Sequence, residues 1–220
     1  MTVSEPLRLA VLISGRGSNM ATIARACAER RLDATVEAVI SDRPDVAGLE
    51  TARSFGIATA VVPWKSLPDR AVAERLLVEL IDAHRPDVVV LAGFMRILSG
   101  EFTARYAGRM LNIHPALLPA YRGLHTHRRV LEAAEKQHGA SVHFVTEELD
   151  GGPVILQSRI PVRSGESEST LMARVQKTEH IIYPQVLEWL ADGRLVWRDA
   201  KPWLDGKPLD RPVVQDFPDV

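Results

Sequence analysis

The chain has 220 residues, 46% of them hydrophobic and 25% charged, which is enough apolar material for one sizeable core. Its 27 Lys and Arg are balanced by 28 Asp and Glu spread along the whole length, with no basic block, which argues against a nucleic-acid partner. Residues 1–8 lack a basic-then-apolar leader, Val88 to Met95 is far too short to span a bilayer, and Cys27 is the single cysteine, so a reducing cytoplasm and no membrane partner are expected.

Leu7 to Ser14 reads as a strand, followed by a Gly-Arg-Gly turn and a helix over Met20 to Arg30 that takes Cys27 into the core. The theme repeats: strand Thr35 to Ser41, helix Gly48 to Gly56, strand Thr59 to Val62, helix Asp69 to His84 with Asp69 as N-cap. Asp87 to Ala92 is a continuous apolar run, as expected of a parallel strand buried on both faces. Arg109 to His114 is a further strand that runs into a Pro-rich loop, Pro115 to Thr126. Helix Arg128 to Lys136, strand Ala140 to Thr146, a turn at Asp150 to Pro153, and strand Val154 to Val162 follow. A long helix, Thr170 to Ala191, contains Pro184, which should kink or end it. Trp203 to Lys207 signals a hairpin, and Asp210 to Val220 reads as a frayed end. Strands alternating with helices define an α/β fold: a mostly parallel twisted sheet flanked by helices, with a Rossmann-like N-terminal half.

Three clusters can do chemistry. Ser14 to Asn19 joins a strand to a helix, and its glycines let backbone N–H groups approach an anion at the helix N-terminus, so a phosphate suits Gly17, Ser18 and Asn19. The plain alternative is a tight turn capped by Ser18 or Asn19. A dinucleotide site fits less well, because Met20 stands where that fingerprint needs a third glycine, although Asp42 after the second strand matches one of its features. Asn112 and His114 alternate to one face at a strand end, where an amide and an imidazole can both donate to a developing oxyanion, although spacing alone favours the plainer reading of two side chains satisfying loop backbone. Asp150 sits on a glycine-flanked turn, in itself an ordinary turn sequence; if the fold brings that carboxylate beside His114, it would favour the imidazolium. His125, His127 and His143 lack a convincing carboxylate or thiolate set, so no metal is expected and pocket-shaping hydrogen bonds are the better use for them.

Five blocks, in this order and spacing, resemble the phosphoribosylglycinamide formyltransferases: LISGRGSN (Leu12 to Asn19), VVLAGFMRIL (Val89 to Leu98), LNIHPALLP (Leu111 to Pro119), GLHTH (Gly123 to His127), and Gly139 to Ile155 ending in ELDGGPVI. The resemblance covers nearly the whole chain and implies a single formyltransferase domain over 1–220. Its nucleotide-binding half would span about 7–108, its catalytic and folate half about 109–200, and a tail 201–220. It implies formyl transfer from 10-formyltetrahydrofolate, as co-substrate, to the amine of the glycinamide ribonucleotide, with no metal, by a monomer or homodimer acting on small molecules. Asn112, His114 and Asp150 correspond to the catalytic set. Gly17, Ser18, Asn19, Gln176 and Glu179 correspond to the ribonucleotide site. Arg70, Met95, Arg96, Ile97, Leu98 and Asn112, with Thr146, Glu147, Glu148, Leu149 and Asp150, correspond to the folate site. Arg16, Ala120 and Arg122 depart from the pattern. A formyltetrahydrofolate hydrolase, which delivers formyl to water with a similar Asn-His-Asp set, is the alternative; a non-catalytic nucleotide-binding module and a methionyl-tRNA formyltransferase fit less well.

Overall fold

The computed structural model of the chain describes residues 5–220. Its centre is one eight-stranded sheet that runs through both halves of the chain. The strands are β1 (Leu7–Ile13), β2 (Ala34–Ser41), β3 (Ala58–Val61), β4 (Val88–Leu91), β5 (Met110–His114), β6 (Gln137–Phe144), β7 (Val154–Pro161) and, at the edge, β11 (Val213–Asp216), in the order β11-β7-β6-β5-β4-β1-β2-β3. Only the β5–β6 and β6–β7 pairs are antiparallel; the other five are parallel, as expected of strands joined by crossover helices. The helices are α1 (Ser18–Ala28), α2 (Ala47–Ser54), α3 (Arg70–Ala83), α4 (Gly100–Arg105), α5 (Thr126–Glu132) and α6 (Glu168–Ala191), with a 3₁₀ turn at Trp64–Ser66. No helix among the described residues is long and apolar enough to cross a membrane.

The unbroken apolar runs have the expected cause. Leu9, Val11 and Ile13 of β1, with Val88 and Val90 of β4, face a core that also holds Met20 and Ile23 of α1 and Val186 of α6. Ala10, Leu12, Val89 and Leu91 face the opposite core, with Leu77 and Ile81 of α3 and Phe102 of α4. Both faces of these strands are therefore dry, and truncating a residue such as Leu12 to Ala would cost about 2–5 kcal/mol. Asp69 caps α3 as expected, accepting from Val72 N at 2.9 Å.

Several expectations are corrected. Helix α1 begins at Ser18 behind a left-handed Gly17 (φ 70°), so neither Ser18 nor Asn19 is its cap. Helix α5 ends at Glu132, not Lys136, because Ala134 turns left-handed (φ 51°); strand β6 consequently starts at Gln137. Helix α6 continues through Pro184 to Ala191: only the His180 carbonyl loses its helical donor, and packing of the flanking turns holds the rest. The short α4 lies where no element is expected; Ser99 starts it, with Oγ accepting from Phe102 N at 3.2 Å. The C-terminal segment is not frayed. The hairpin formed by β9 (Lys201–Leu204) and β10 (Lys207–Pro208) pairs with β8 (Leu195–Arg198) in a small second sheet, and β11 closes the edge of the main one. Arg159 of β7 holds Asp216 of β11 through two bonds of 2.6 and 2.9 Å.

Candidate active site

Open sheets of this order bind ligands beyond the carboxyl ends of their strands, where the connections on either side diverge. Here β1 and β4 are the neighbours at that point, and the sequence motifs collect around it.

At the end of β1, Gly17 adopts a conformation that favours glycine, and a Cβ there would stand 2.9 Å from the Cα of Gly48. Gly48, at the start of α2, is the loop's support: its N–H donates to Gly15 O at 3.1 Å, and a Cβ on it would lie 2.5 Å from Ile13 Cδ1. Two glycines thus let two backbone segments touch, leaving the first-turn N–H groups of α1 facing outward without helical partners. These residues line a cleft of about 290 Å³ with Gln176 and Glu179 of α6. Gln176 Nε2 donates to Ser18 Oγ at 2.9 Å, and Asn19 Nδ2 donates to Glu179 Oε2 at 2.8 Å. Burial pushes the Glu179 carboxyl up, partly offset by the Asn19 bond. The Asn19 Oδ1 is buried and has no protein partner. Helix α6 is tied to the site floor by the fully buried Tyr183, whose hydroxyl lies 3.0 Å from Leu91 O and 3.2 Å from Leu111 O, the ends of β4 and β5.

On β5, Leu111 and Ile113 enter one core while Asn112 and His114 alternate to the other side. Asn112 faces His143 of β6 across an antiparallel pair. Burial pushes the His143 imidazole down, so it is neutral, and its Nδ1 lies 2.9 Å from the Phe144 carbonyl, which can only accept. The remaining nitrogen, Nε2, must then accept, and Asn112 Nδ2 donates to it at 3.1 Å. This contact orients the amide. By the same logic His114 Nε2 carries a hydrogen toward Tyr121 O at 2.9 Å, which turns Nδ1 toward Asp150 Oδ2 at 3.4 Å. Both side chains are only 7% exposed.

Asp150 reaches this point from the β6–β7 connection, at a left-handed φ of 49°. Gly152 permits the turn, since a Cβ there would meet Phe144 O at 1.9 Å. Asp150 Oδ2 also accepts from Gly123 N at 2.9 Å, and Arg122 pairs with Glu148, so the loop before α5 lies against the loop bearing Asp150. Asn112, His114 and Asp150 line one cleft of about 430 Å³, together with Met95, Arg96 and Ile97. A smaller recess of about 100 Å³ opens beside it, lined by Leu98, Thr146, Glu147 and Glu148 among others. Arg70 is the exception: it lies with Glu74 in a separate groove between α3 and α4.

His143 is the orienting residue among the three histidines weighed together from the sequence, and His125 is the left-handed residue before α5. His127 pairs instead with His138, Nδ1 to Nε2 at 2.9 Å, where burial pushes His138 down to about 3. Sequence reading does not single out Gly48, Tyr183 or His138. What each does depends on residues outside its own element, which local pattern does not show.

The formyl transferase family profile matches residues 7–187. The phosphoribosylglycinamide formyltransferase of Escherichia coli is 55% identical over 92% of this chain and 96% of that protein. A solved structure of the enzyme of that name from Coxiella burnetii superposes with a TM-score of 0.91 at 47% identity, covering 97% of this chain and all of that one. A formyltetrahydrofolate deformylase from Pseudomonas syringae pv. tomato has a TM-score of 0.85 but 26% identity, and 66% of its length is covered. The chain thus belongs to the formyl transferase family, among the phosphoribosylglycinamide formyltransferases.

Proposed function

We propose that the protein transfers a formyl group from 10-formyltetrahydrofolate to the glycinamide amine of phosphoribosylglycinamide, yielding the formylglycinamide ribonucleotide of de novo purine synthesis. The observation that carries this reading is a shared wall. Gly93, Met95, Ile113, Pro115 and His127 line both the cleft at the Gly17 loop and the cleft at Asn112, His114 and Asp150. Two substrates bound on either side would meet there.

The division of ligands follows from the linings. The ribonucleotide cleft offers outward N–H groups at Gly17, Ser18 and Asn19 for a phosphate, and Gln176 and Glu179 for polar sugar or glycinamide groups. The other cleft sets apolar Met95, Ile97 and Leu149 beside the polar Asn112, His114 and Asp150, which suits a flat heterocycle with an apolar face and polar edges. The adjoining recess bounded by Arg96, Leu98 and Thr146 to Asp150 extends that surface. Arg70, in the next groove, suits an anionic end of the donor. No resident metal enters this reading.

The attacking amine has a pKa near 8, so about a tenth is neutral at pH 7 and no strong base is required. The demands are a donor set for the oxyanion and a route for a proton to the leaving nitrogen. Asn112 supplies its second amide hydrogen, the first being spent on His143. His114, as imidazolium, supplies Nδ1–H, and Asp150 stabilises that charge from 3.4 Å. One such oxyanion donor is worth about 3–4 kcal/mol of barrier. We read residues 1–220 as one domain, working in the cytoplasm as a monomer or homodimer.

Incubation with 10-formyltetrahydrofolate and the ribonucleotide, each omitted in turn, tests the reading. Formylated ribonucleotide should form only when both are present. Release of formate from the donor alone, at the same rate, would instead identify a hydrolase.

A further inference from the structure

Asp42 follows β2 and is only 2% exposed, yet it lines neither the ribonucleotide cleft nor the donor cleft. Its Oδ2 accepts from Arg96 Nε at 2.6 Å and lies 3.7 Å from Arg43 Nε, while its Oδ1 has no protein partner. The Arg96 guanidinium lies over the ring of Trp64, 5.6 Å from its centroid, and Trp64 meets Phe94 edge-on at 6.1 Å. One residue earlier, Met95 N donates to Ser14 Oγ at 2.8 Å. Residues at or just beyond the ends of β1, β2 and β3 therefore each supply one group, Ser14, Asp42 and Trp64, that grips the segment following β4.

A carboxylate this buried is costly unless it is paired, and the pair is often no more stabilising than apolar residues of equal volume. Stability alone is thus a poor account of Asp42. Its partner Arg96, however, lines both the 430 Å³ cleft and the 100 Å³ recess beside Asn112. We propose that Asp42 is a positioning residue for the formyl donor: acting through Arg96, and with Trp64 as a platform, it fixes the Met95 to Leu98 wall of the donor cleft. The outer strands β2 and β3, remote from the donor cleft in the sheet, thereby set its shape. The inference rests on the functional reading above, in which that cleft takes 10-formyltetrahydrofolate.

The test is steady-state kinetics of the full chain with both substrates varied. Parent turnover is measured first; a parent that does not formylate the ribonucleotide overturns the functional reading itself. Asp42→Asn keeps the shape and removes the charge. It should raise the KM for 10-formyltetrahydrofolate roughly tenfold, the scale of a lost charge-assisted hydrogen bond, and leave the ribonucleotide KM within about twofold. In an Arg96→Gln background the same change should add less than about twofold, because the group through which Asp42 acts is gone. Equal rises in both KM values, or the full tenfold persisting in the Arg96→Gln background, would overturn the proposal. Should Asp42→Asn fail to fold, Trp64→Leu carries the test: a donor-only rise in KM supports it, and a rise for both substrates refutes it.

Discussion

Replacing Asp150 by Asn removes one charge from the catalytic cluster while preserving its shape. The carboxylate lies 3.4 Å from His114 Nδ1, and both side chains are shielded from water. Coulomb's law at that separation, with an effective dielectric of about 20, gives a gross attraction of roughly 5 kcal/mol for an imidazolium. Desolvation of the two groups cancels part of it, leaving a net effect of about 3–4 kcal/mol, or a factor of roughly 10²–10³ in rate. The amide oxygen of Asn can still accept from Gly123 N, now bonded to Asp150 at 2.9 Å, so the loop over the cleft should keep its place. The loss should therefore fall on kcat, with both KM values within about threefold, because the charge is needed mainly when the oxyanion forms. Single-turnover formyl transfer with both substrates saturating isolates that step. A variant whose kcat is unchanged, or one that loses only substrate affinity, would refute charge stabilisation by Asp150.

Other consequences follow from the same geometry. His143→Leu leaves the Asn112 amide without the acceptor 3.1 Å away that orients it, and kcat should fall by roughly 10–100-fold with the fold intact by circular dichroism. Gly17→Ala places a side chain on a left-handed residue 2.9 Å from Gly48; it should cost about 1–2 kcal/mol in denaturant titration and raise the ribonucleotide KM well above the donor KM. Tyr183→Phe removes the hydroxyl bonded to the ends of β4 and β5 and should destabilise by about 1–3 kcal/mol, measured by urea unfolding. His138 is held neutral down to about pH 3, whereas the unfolded chain protonates it near 6.5; the unfolded state thus binds the extra proton in that window, and stability should fall as pH drops below about 6.5. For His138 alone the slope is about 1.4 kcal/mol per pH unit, and His138→Gln should flatten the decline of Tm between pH 7 and 5.

What could be read from the chain divides along the range of the interactions involved. The runs at β1 and β4 are apolar at every position because both faces are covered, and that pattern needs no knowledge of the partners. Asn112 and His114 share a face by strand alternation alone, so their pairing is legible two residues apart. The edge strand β11 is not, because its four residues are held by β7, some 57 positions away, through Arg159 and Asp216. Nor is the end of α5, where Ala134 takes a left-handed conformation that usually belongs to Gly or Asn. Asp150 illustrates the limit most directly. Its glycine-flanked turn is visible in the sequence, but its approach to His114 is not: the β6–β7 connection leaves β6 beside Met110, where Val145 N donates to Met110 O at 2.9 Å, and turns back along β5 to bring Asp150 within 3.4 Å of His114 Nδ1. The cleft draws its walls from both halves of the chain: Met95, Arg96 and Ile97 from the segment after β4, and Asn112, His114 and Asp150 from β5 and the β6–β7 connection. The antiparallel register of β5 and β6 also sets His143 opposite Asn112, and that pairing supplies the acceptor 3.1 Å away that orients the amide, a contact between residues 31 positions apart that no local pattern shows.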